Sequence, residues 1–505
     1  MTTTHESEIR SSRLLFADSP VNTYTAHSIG RGVQQVARLA FPNMASFLAS
    51  YISTVTTTMS ISALNDSSML AAVGLGNLLG NLLGFSIGAG LMSVLDTTIA
   101  QAAGAHNIPL ATLHLARGRL VSVIVAIPCT MAMLMSGKIL SLLGQDPVTC
   151  FNSQIFISWS AIGLLPAFLF FAESSMLRAF HLNQPVLFVN AIAAVIQLAT
   201  CVYFVNFARL GLMGAGLSMS ISNWSKWIML QIYMRTHREV GEPASFRKFW
   251  HAIKSEFSGR VGLSRASVGS SVDFPQSIIE GIPGFIAIAI PSAGLLWSEW
   301  WAYEIQAVIA GWLGTEVLAS HVICCSIETI MYMFPLGVQQ AAAVLVGNSL
   351  GGGKPRKAST LAKISLVFGI GQVVTVASTF FYFRSNVAGY YSSDPLVLEI
   401  LARTFIIVAV YHGFSGFNCV LEGVMRGMRL QEKAVNSKII VMLFVQLPLA
   451  WLLSRSMGLF GLWLAACCGS VVCLAIFLTI ILRADFTHCA VVAMKESREE
   501  GSLLG

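Results

Sequence analysis

The sequence predicts an all-α integral membrane protein with twelve transmembrane helices, built as two six-helix lobes. Three observations lead to this prediction: the composition, the apolar segments, and a repeat that relates the two halves of the chain. Of 505 residues, 55% are hydrophobic and only 11% are charged, whereas a soluble domain carries about 25% charged residues. The mean hydropathy of +0.70 agrees with a chain that lies largely within a bilayer.

Twelve apolar segments are long enough to cross a hydrocarbon core of about 30 Å as helices. An even number of spans places both termini on the same side of the membrane. The predicted spans are 39–63, 70–103, 120–142, 153–177, 186–206, 210–234, 282–312, 317–348, 361–383, 397–425, 435–455 and 459–482.

The basic residues indicate the orientation. Eighteen lie in loops on the side of the termini: Arg117, Arg119, Arg178, Arg235, Arg238, Arg247, Lys248, Lys254, Arg260, Arg265, Lys354, Arg356, Lys357, Lys363, Arg426, Arg429, Lys433 and Lys438. Five lie on the other side: Lys138, Arg209, Arg384, Arg403 and Arg455. Basic loops stay in the cytosol, so we expect cytosolic termini. The net charge of +7 is therefore a topology signal, and a nucleic-acid partner is not expected.

The spans and loops divide the chain into five regions. Residues 1–35 and 486–505 are predicted cytosolic tails, and the N-terminal tail shows no signal peptide. Residues 36–235 form the predicted N-lobe and 282–485 the C-lobe. The segment 236–281 between them is rich in serine and glycine and is predicted to be a flexible cytosolic linker.

The two halves repeat each other at a nearly constant offset. Residues 98–107, TIAQAAGAHN, match LVGNSLGGGK at 345–354. MLRAFHL at Met176 matches VMRGMRL at Val424, and Pro42 pairs with Pro291. Because six spans separate the repeats, both have the same orientation, an arrangement that suits alternating access by two rocking halves.

Carboxylates inside a predicted span are the main functional signal. Residues 295–308, LLWSEWWAYEIQAV, place Glu299 and Glu304 among aromatic side chains, although an acid at mid-bilayer costs at least about 2.5–3.5 kcal/mol. Burial disfavours the charged form of a carboxyl group, so such a group can take up a proton. When ionised it attracts an organic cation, which aromatic faces also bind. The alternative is a glutamate that hydrogen-bonds a neighbouring helix.

Other polar residues within spans are weaker candidates. Asn77 and Asn81 lie four residues apart on one helix face, as do Glu328 and Tyr332; either pair could line a cavity or join helices. His412 is expected to be a packed histidine. Asp96, Glu173 and Glu422 lie toward the cytosolic ends of their spans, where we expect them to pair with loop arginines.

Enzymatic and nucleotide-binding motifs fail on inspection. GNSLGGGKP lacks the first glycine of a phosphate loop, which is Asn348 here, and Pro355 replaces the hydroxyl residue after Lys354. The cysteines lack the spacing of a zinc site. We therefore predict a protein that is not an enzyme and has no cofactor and no metal site.

The stretches SEWWAYEI, LDTTIAQAAGA, YMFPLGVQQAAAVLVGNSLGGGKP and EGVMRGMRLQ resemble the multidrug and toxin extrusion (MATE) transporters, particularly the eukaryotic branch, over nearly all of 36–482. The resemblance implies two six-helix lobes around a central cleft and proton-coupled export of organic cations. Carried onto matching positions, it implies proton and substrate binding by Glu299, with Trp300, Tyr303, Glu304, Asn81 and Tyr332 as cavity residues. Ser326 and Ser415 depart from acidic positions of mammalian members, and Glu328 lies nearby.

The predicted function is secondary transport of organic cations or toxic metabolites by proton antiport. Sodium is the alternative coupling ion. Alternative functions are a flippase of the related superfamily, acting on a lipid-linked or amphipathic substrate, and a membrane-embedded enzyme or receptor. We expect a functional monomer in the plasma membrane or in a vacuolar or other endomembrane.

Overall fold

The computed structural model describes residues 26–62, 64, 66–142, 144–236, 278–391 and 394–502. Every regular element within these ranges is helical. The side chain of Glu299 lies outside the described part of the structure, although its backbone belongs to a helix.

The first half of the chain contains ten α-helices and two π-helical turns among the described residues. The helices are α1 Ala26–Ser62, α2 Ser67–Gly80, α3 Ser86–Met92, α4 Leu95–Gly104, α5 Ile108–Leu134, α6 Ser136–Leu142, α7 Pro147–Ala161, α8 Leu164–Ala179, α9 Asn183–Val202 and α10 Gly211–Thr236. The π-helical turns are Asn81–Phe85 and Tyr203–Phe207.

The second half contains seven described α-helices and one π-helical turn. They are α11 Ile282–Leu313, α12 Thr315–Gly351, α13 Pro355–Tyr391, α14 Pro395–Gly427, α15 Gln431–Val441, α16 Leu447–Arg483 and α17 Phe486–Ser502, with the π-helical turn Met442–Gln446 between α15 and α16. A break at Gly458, with φ +57°, divides α16 where the sequence predicts the boundary between the last two spans.

Eight described helices are long and apolar enough to cross a membrane, or nine if the bent pair α7 and α8 forms one span. One of these eight is the stretch Gln431–Arg483, which contains two of the predicted spans, 435–455 and 459–482. With the bent pair, these helices account for ten of the twelve predicted spans. The remaining two predicted spans are α1 and α10, which are rich in serine and threonine. Their hydroxyl groups bond internally; for example, Thr56 Oγ1 donates to Ile52 O at 2.8 Å, and Ser218 Oγ donates to Ala215 O at 2.7 Å. Such internal bonds satisfy polar groups where water is absent.

One predicted span is broken. Sequence reasoning expects a single helix over 153–177, whereas α7 and α8 meet at a bend of 47°. Pro166 lacks the N–H that would bond back to residue 162, and proline therefore favours a kink here. A side chain on Gly163 would place its Cβ 2.7 Å from Ser220 Cα, so the bend lets α8 approach α10 closely.

The repeat detected in the sequence recurs in the backbone. Four helices end at a residue with left-handed φ, and these four residues form two pairs. His106 (φ 57°) pairs with Gly353 (φ 66°), and His181 (φ 62°) pairs with Arg429 (φ 59°). The two members of each pair occupy matching positions of the sequence repeat. At His106 two backbone hydrogen bonds close the helix end: Asn107 N donates to Ala102 O and His106 N donates to Ala103 O, both at 3.0 Å. The other three ends have the same two bonds, which is a Schellman motif.

The described residues form two compact units. One lies within Met1–Met44 and Gly294–Met494, and the other within Ala45–Ala293 and Lys495–Gly505. The unit boundaries fall inside α1 and α11, shortly after Pro42 and Pro291. The unit that contains Gly294–Met494 is called the first unit, and the unit that contains Ala45–Ala293 is called the second unit. The lobe boundaries expected from the sequence remain a prediction.

Hydrogen bonds between polar side chains join α1 to α9 in the second unit. Asn190 Nδ2 donates to Ser46 Oγ at 2.6 Å. Two helical turns further on, Gln197 Nε2 donates to Thr57 Oγ1 at 3.0 Å and to Ser53 O at 3.1 Å. Interhelical bonds of this kind stabilise helix pairs in lipid, where apolar burial gives little driving force.

Candidate functional site

One face of α14 carries a row of polar residues in the first unit. Tyr411, Ser415, Asn418 and Glu422 follow each other at intervals of three or four residues, so they share a helix face. All four line a cavity of about 40 Å³, together with Ser298, Ala302, Tyr303, Lys438, Met442, Gln446, Gly469, Ser470, Cys473 and Phe477. A water molecule needs about 10–15 Å³ by this measure, so the cavity accommodates a few waters and not a drug-sized molecule.

Glu328 on α12 faces this row and is buried, with 2% of its surface exposed. Its Oε1 lies 3.2 Å from His412 Nδ1 and accepts a hydrogen bond from Ser415 Oγ at 3.1 Å. Glu328 Oε2 and His412 Nε2 have no partner among the described residues. A buried carboxyl group on α12 and a buried imidazole on α14 are therefore in direct contact.

Aromatic rings pack next to this pair. The hydroxyl groups of Tyr303 and Tyr411 are hydrogen-bonded at 2.9 Å. The Trp463 ring lies 6.2 Å from Tyr303, 5.4 Å from Tyr411 and 5.8 Å from His321, measured between ring centres. The structure thus places Tyr303, a predicted cavity residue, in contact with residues of α14 and α16.

Glu304 is half-buried on α11. The thiol of Cys325 lies within electrostatic range of both Glu304 and Glu328, and its Sγ is 3.4 Å from His321 Nε2. Two of the predicted carboxylates therefore lie around one small group of side chains.

The other predicted site residues are placed as follows. Trp300 is partly exposed, at 37%, and Tyr332 is half-buried one turn beyond Glu328 on α12. Asn81 belongs to the second unit and is exposed at the first residue of a π-helical turn. Glu299 itself cannot be assigned contacts because its side chain lies outside the described residues.

Four carboxylates are buried among the described residues, and three of them have basic partners. Asp96 accepts from Arg178 Nη2 at 2.8 Å, Glu173 from Arg119 Nη2 at 2.9 Å, and Glu422 from Lys438 Nζ at 2.7 Å. The expected pairing with arginine is confirmed for Asp96 and Glu173, whereas Glu422 forms its ion pair with a lysine. Glu328 is the fourth, and its partner is a histidine.

Sequence reasoning took His412 for a packed histidine and did not identify His321, Tyr411 or Trp463. A lone histidine in an apolar run gives no periodic signal, and the partners come from three different helices. The row at 411, 415, 418 and 422 is the one signal that could have identified this face of α14, because its spacing matches a helix.

The comparisons with known proteins place the chain in a family. The MatE family model matches residues 42–203 and again residues 291–452. The two matches begin at Pro42 and Pro291, the two prolines that the internal repeat pairs. This chain belongs to the MatE family.

Similarity to individual MATE proteins extends over most of the chain. The multidrug and toxin extrusion protein 1 of Danio rerio is 27% identical over 439 residues, covering 86% of this chain and 69% of that protein. Its counterpart from Rattus norvegicus is 30% identical over 412 residues, covering 80% of this chain and 67% of that protein.

The crystal structure of the eukaryotic MATE transporter AtDTX14 is similar with a TM-score of 0.83 and 23% identity. The structural alignment covers 93% of this chain and 99% of that chain. The likeness establishes the fold, which has twelve transmembrane helices in two lobes related by a repeat. MATE proteins are membrane transporters of small molecules, so the predictions of a multi-pass membrane protein and of a non-enzyme are confirmed.

Proposed function

We propose that this MATE protein exports organic cations in exchange for protons by alternating access. In this proposal, Glu299, Glu304 and Glu328 are the carboxylates that bind proton or cation. Trp300, Tyr303, Tyr332 and Asn81 line the substrate path. The termini face the cytosol, and the protein acts in the plasma membrane or an endomembrane.

The observation that carries the proposal is the Glu328–His412 pair. The other three buried carboxylates pair with arginine or lysine, side chains that are ordinarily protonated at neutral pH. Imidazole changes its charge between about pH 5 and 8. Glu328 is thus the one buried carboxylate of the described residues whose basic partner is an imidazole, the side chain most often used in proton exchange.

Coupling follows from charge repulsion in a medium of low dielectric constant. A proton on the pair and an organic cation about 6 Å away repel by about 3 kcal/mol at an effective dielectric constant of about 20, or roughly 100-fold in affinity. Binding of the cation therefore favours proton release, and protonation favours cation release. This mutual exclusion is what an antiporter requires.

Aromatic side chains supply the second part of cation recognition. Tyr303 precedes Glu304 on α11, is half-buried and packs against Tyr411 and Trp463, and a good cation–π contact contributes about 0.5–2 kcal/mol. The small cavity suits water and protons, so the bulky cation would bind against the half-buried residues Glu304 and Tyr332.

The chemistry of the pair favours the proton over sodium. One oxygen of Glu328 is already bonded by an imidazole nitrogen and a hydroxyl group, whereas hard cations prefer a shell of oxygen ligands. A histidine partner has a direct use in proton exchange.

Reconstituted vesicles test the function. An imposed pH gradient should drive uptake of tetraethylammonium into vesicles that contain the wild-type protein, and a sodium gradient at constant pH should not. Glu299→Gln should abolish this uptake while leaving insertion and abundance near normal. Uptake that ignores the pH gradient, or full transport by Glu299→Gln, would contradict the mechanism.

A further inference from the structure

A second pocket lies at the surface of the first unit, away from the Glu328–His412 pair. It has a volume of about 440 Å³ and is lined by Pro355, Arg356, Ser359, Arg483, Ala484, Asp485, Phe486 and Thr487. Pro355, Arg356 and Ser359 lie in the first turns of α13, and the other five lining residues connect the end of α16 to the start of α17. The volume lies within the range of about 300–1,000 Å³ of small-molecule sites.

The pocket is positively charged and its arginines are unpaired. The guanidinium groups of Arg356 and Arg483 form no ion pair or hydrogen bond with the described part of the chain, although both residues line the same pocket. The single acid of the lining, Asp485, accepts the Thr487 N–H at 2.8 Å and so caps α17. Lys357 follows Arg356 and is within electrostatic range of Lys354, so further positive charge lies at the start of α13.

The repeat shows that the start of α13 lacks a side-chain acceptor. In the first half of the chain, Asn107 Oδ1 caps α5 by accepting the Leu110 N–H at 3.0 Å. The residue at the matching position of the second repeat is Lys354, which has no acceptor atom. The start of α13, with the positive end of its helix dipole, therefore lies in the same pocket lining as the arginines, and both features favour an anion.

The surroundings indicate that the anion belongs to a lipid. Val367, Ile370 and Val374 lie on the same face of α13 as Arg356 and are exposed at 70%, 45% and 57%. Leu482, next to Arg483, is exposed at 82%. The pocket thus lies where an exposed apolar surface ends and charged residues begin, which is the position of a phospholipid headgroup at the membrane interface.

We propose that this pocket binds the phosphate headgroup of an anionic phospholipid. The two guanidinium groups contact the phosphate oxygens, and the hydroxyl groups of Ser359 and Thr487 lie within the same lining. The acyl chains follow the exposed apolar face of α13. The lipid would hold the start of α13 against the junction of α16 and α17, on the side predicted to be cytosolic. This inference is independent of the coupling mechanism.

Native mass spectrometry of the purified full-length chain tests the proposal. The probes are dioleoyl phosphatidic acid, dioleoyl phosphatidylcholine and inorganic phosphate, added at equal concentrations. The wild-type protein should retain one phosphatidic acid molecule in preference to phosphatidylcholine. The double variant Arg356→Gln/Arg483→Gln should weaken that retention about thirtyfold, from two lost basic contacts.

The matched control is Arg384→Gln/Arg403→Gln, which removes the same charge from a half-buried and an exposed position of the same unit. It should retain phosphatidic acid like the wild type. Three results would overturn the proposal: no preference for phosphatidic acid, unchanged retention in the Arg356/Arg483 variant, or displacement of the lipid by equal inorganic phosphate, which would indicate a site for a soluble anion. Lipid preference of the wild-type protein is informative even where a variant folds poorly.

Discussion

Replacing Glu328 by glutamine removes one negative charge from the interior of the first unit and hardly changes the side chain's shape. The amide oxygen can still accept the bonds that His412 Nδ1 and Ser415 Oγ make at 3.2 and 3.1 Å. A neutral imidazole beside the amide leaves no unpaired charge in the interior. We therefore expect a stability change of no more than about 1 kcal/mol, which is the scale of one altered hydrogen bond.

The same substitution at Glu173 supplies a matched comparison. Glu173 is fully buried, like Glu328, but its partner Arg119 is also buried and cannot lose its charge. Leaving one charge of a buried pair without its partner costs about 3–5 kcal/mol. Glu173→Gln should therefore destabilise the protein strongly, while Glu328→Gln should leave it folded.

Thermal unfolding in detergent and pH-driven tetraethylammonium uptake in vesicles measure the two effects separately. Glu328→Gln should unfold near the wild-type temperature and lose the response of uptake to the pH gradient. Glu173→Gln should unfold at a lower temperature, and its folded fraction should keep the pH response. Unchanged coupling in Glu328→Gln would refute the assigned role, and equal destabilisation of both variants would refute the electrostatic reasoning.

Three further predictions concern the scaffold. Gly163→Ala should cost about 1–3 kcal/mol by forcing a methyl group against the backbone of α10, whereas Gly371→Ala, at a site with no contact within 4 Å, should not lower the unfolding temperature. Gln197→Leu should weaken the α1–α9 contact by about 0.6–2 kcal/mol, measured by unfolding in detergent; an unchanged transition would contradict this. The hydroxyl and backbone N–H of Ser68 hold the pKa of Asp66 below its usual value, so this cap stabilises α2 at neutral pH and is lost as the pH falls through the lowered pKa. After correction for the intrinsic pH dependence of amide exchange, the protection of amides at the start of α2 should fall in acid for the wild type and should not change with acid for Asp66→Asn.

The helices and their repeat were predictable because both depend on local patterns. Apolar length predicted the spans, and the sequence repeat returned in the backbone as matched left-handed residues such as His181 and Arg429. Helix ends were less predictable: α5 begins at Ile108, well before the predicted span at 120, because Asn107 caps it. The bend before Pro166 was also missed, since the run of apolar residues continues through it.

The candidate site was predicted only in part. Glu304, Glu328 and Tyr303 were identified because polar or aromatic groups are conspicuous in apolar spans. The role of His412 was not, because its significance depends on Glu328, which is distant in the sequence and lies on a neighbouring helix in space. Pairings of this kind depend on how helices pack against each other, which the spacing of residues along one helix does not predict. The role expected for Glu299 remains a prediction.

Counting the protons released when a cation binds tests the central claim most directly. Isothermal titration of tetraethylammonium into the purified protein at pH 7, in two buffers of different ionisation enthalpy, gives this number. The proton-exchange mechanism predicts release of close to one proton per bound cation by the wild type and much less by Glu328→Gln. Binding heats that are identical in the two buffers for the wild-type protein would contradict it.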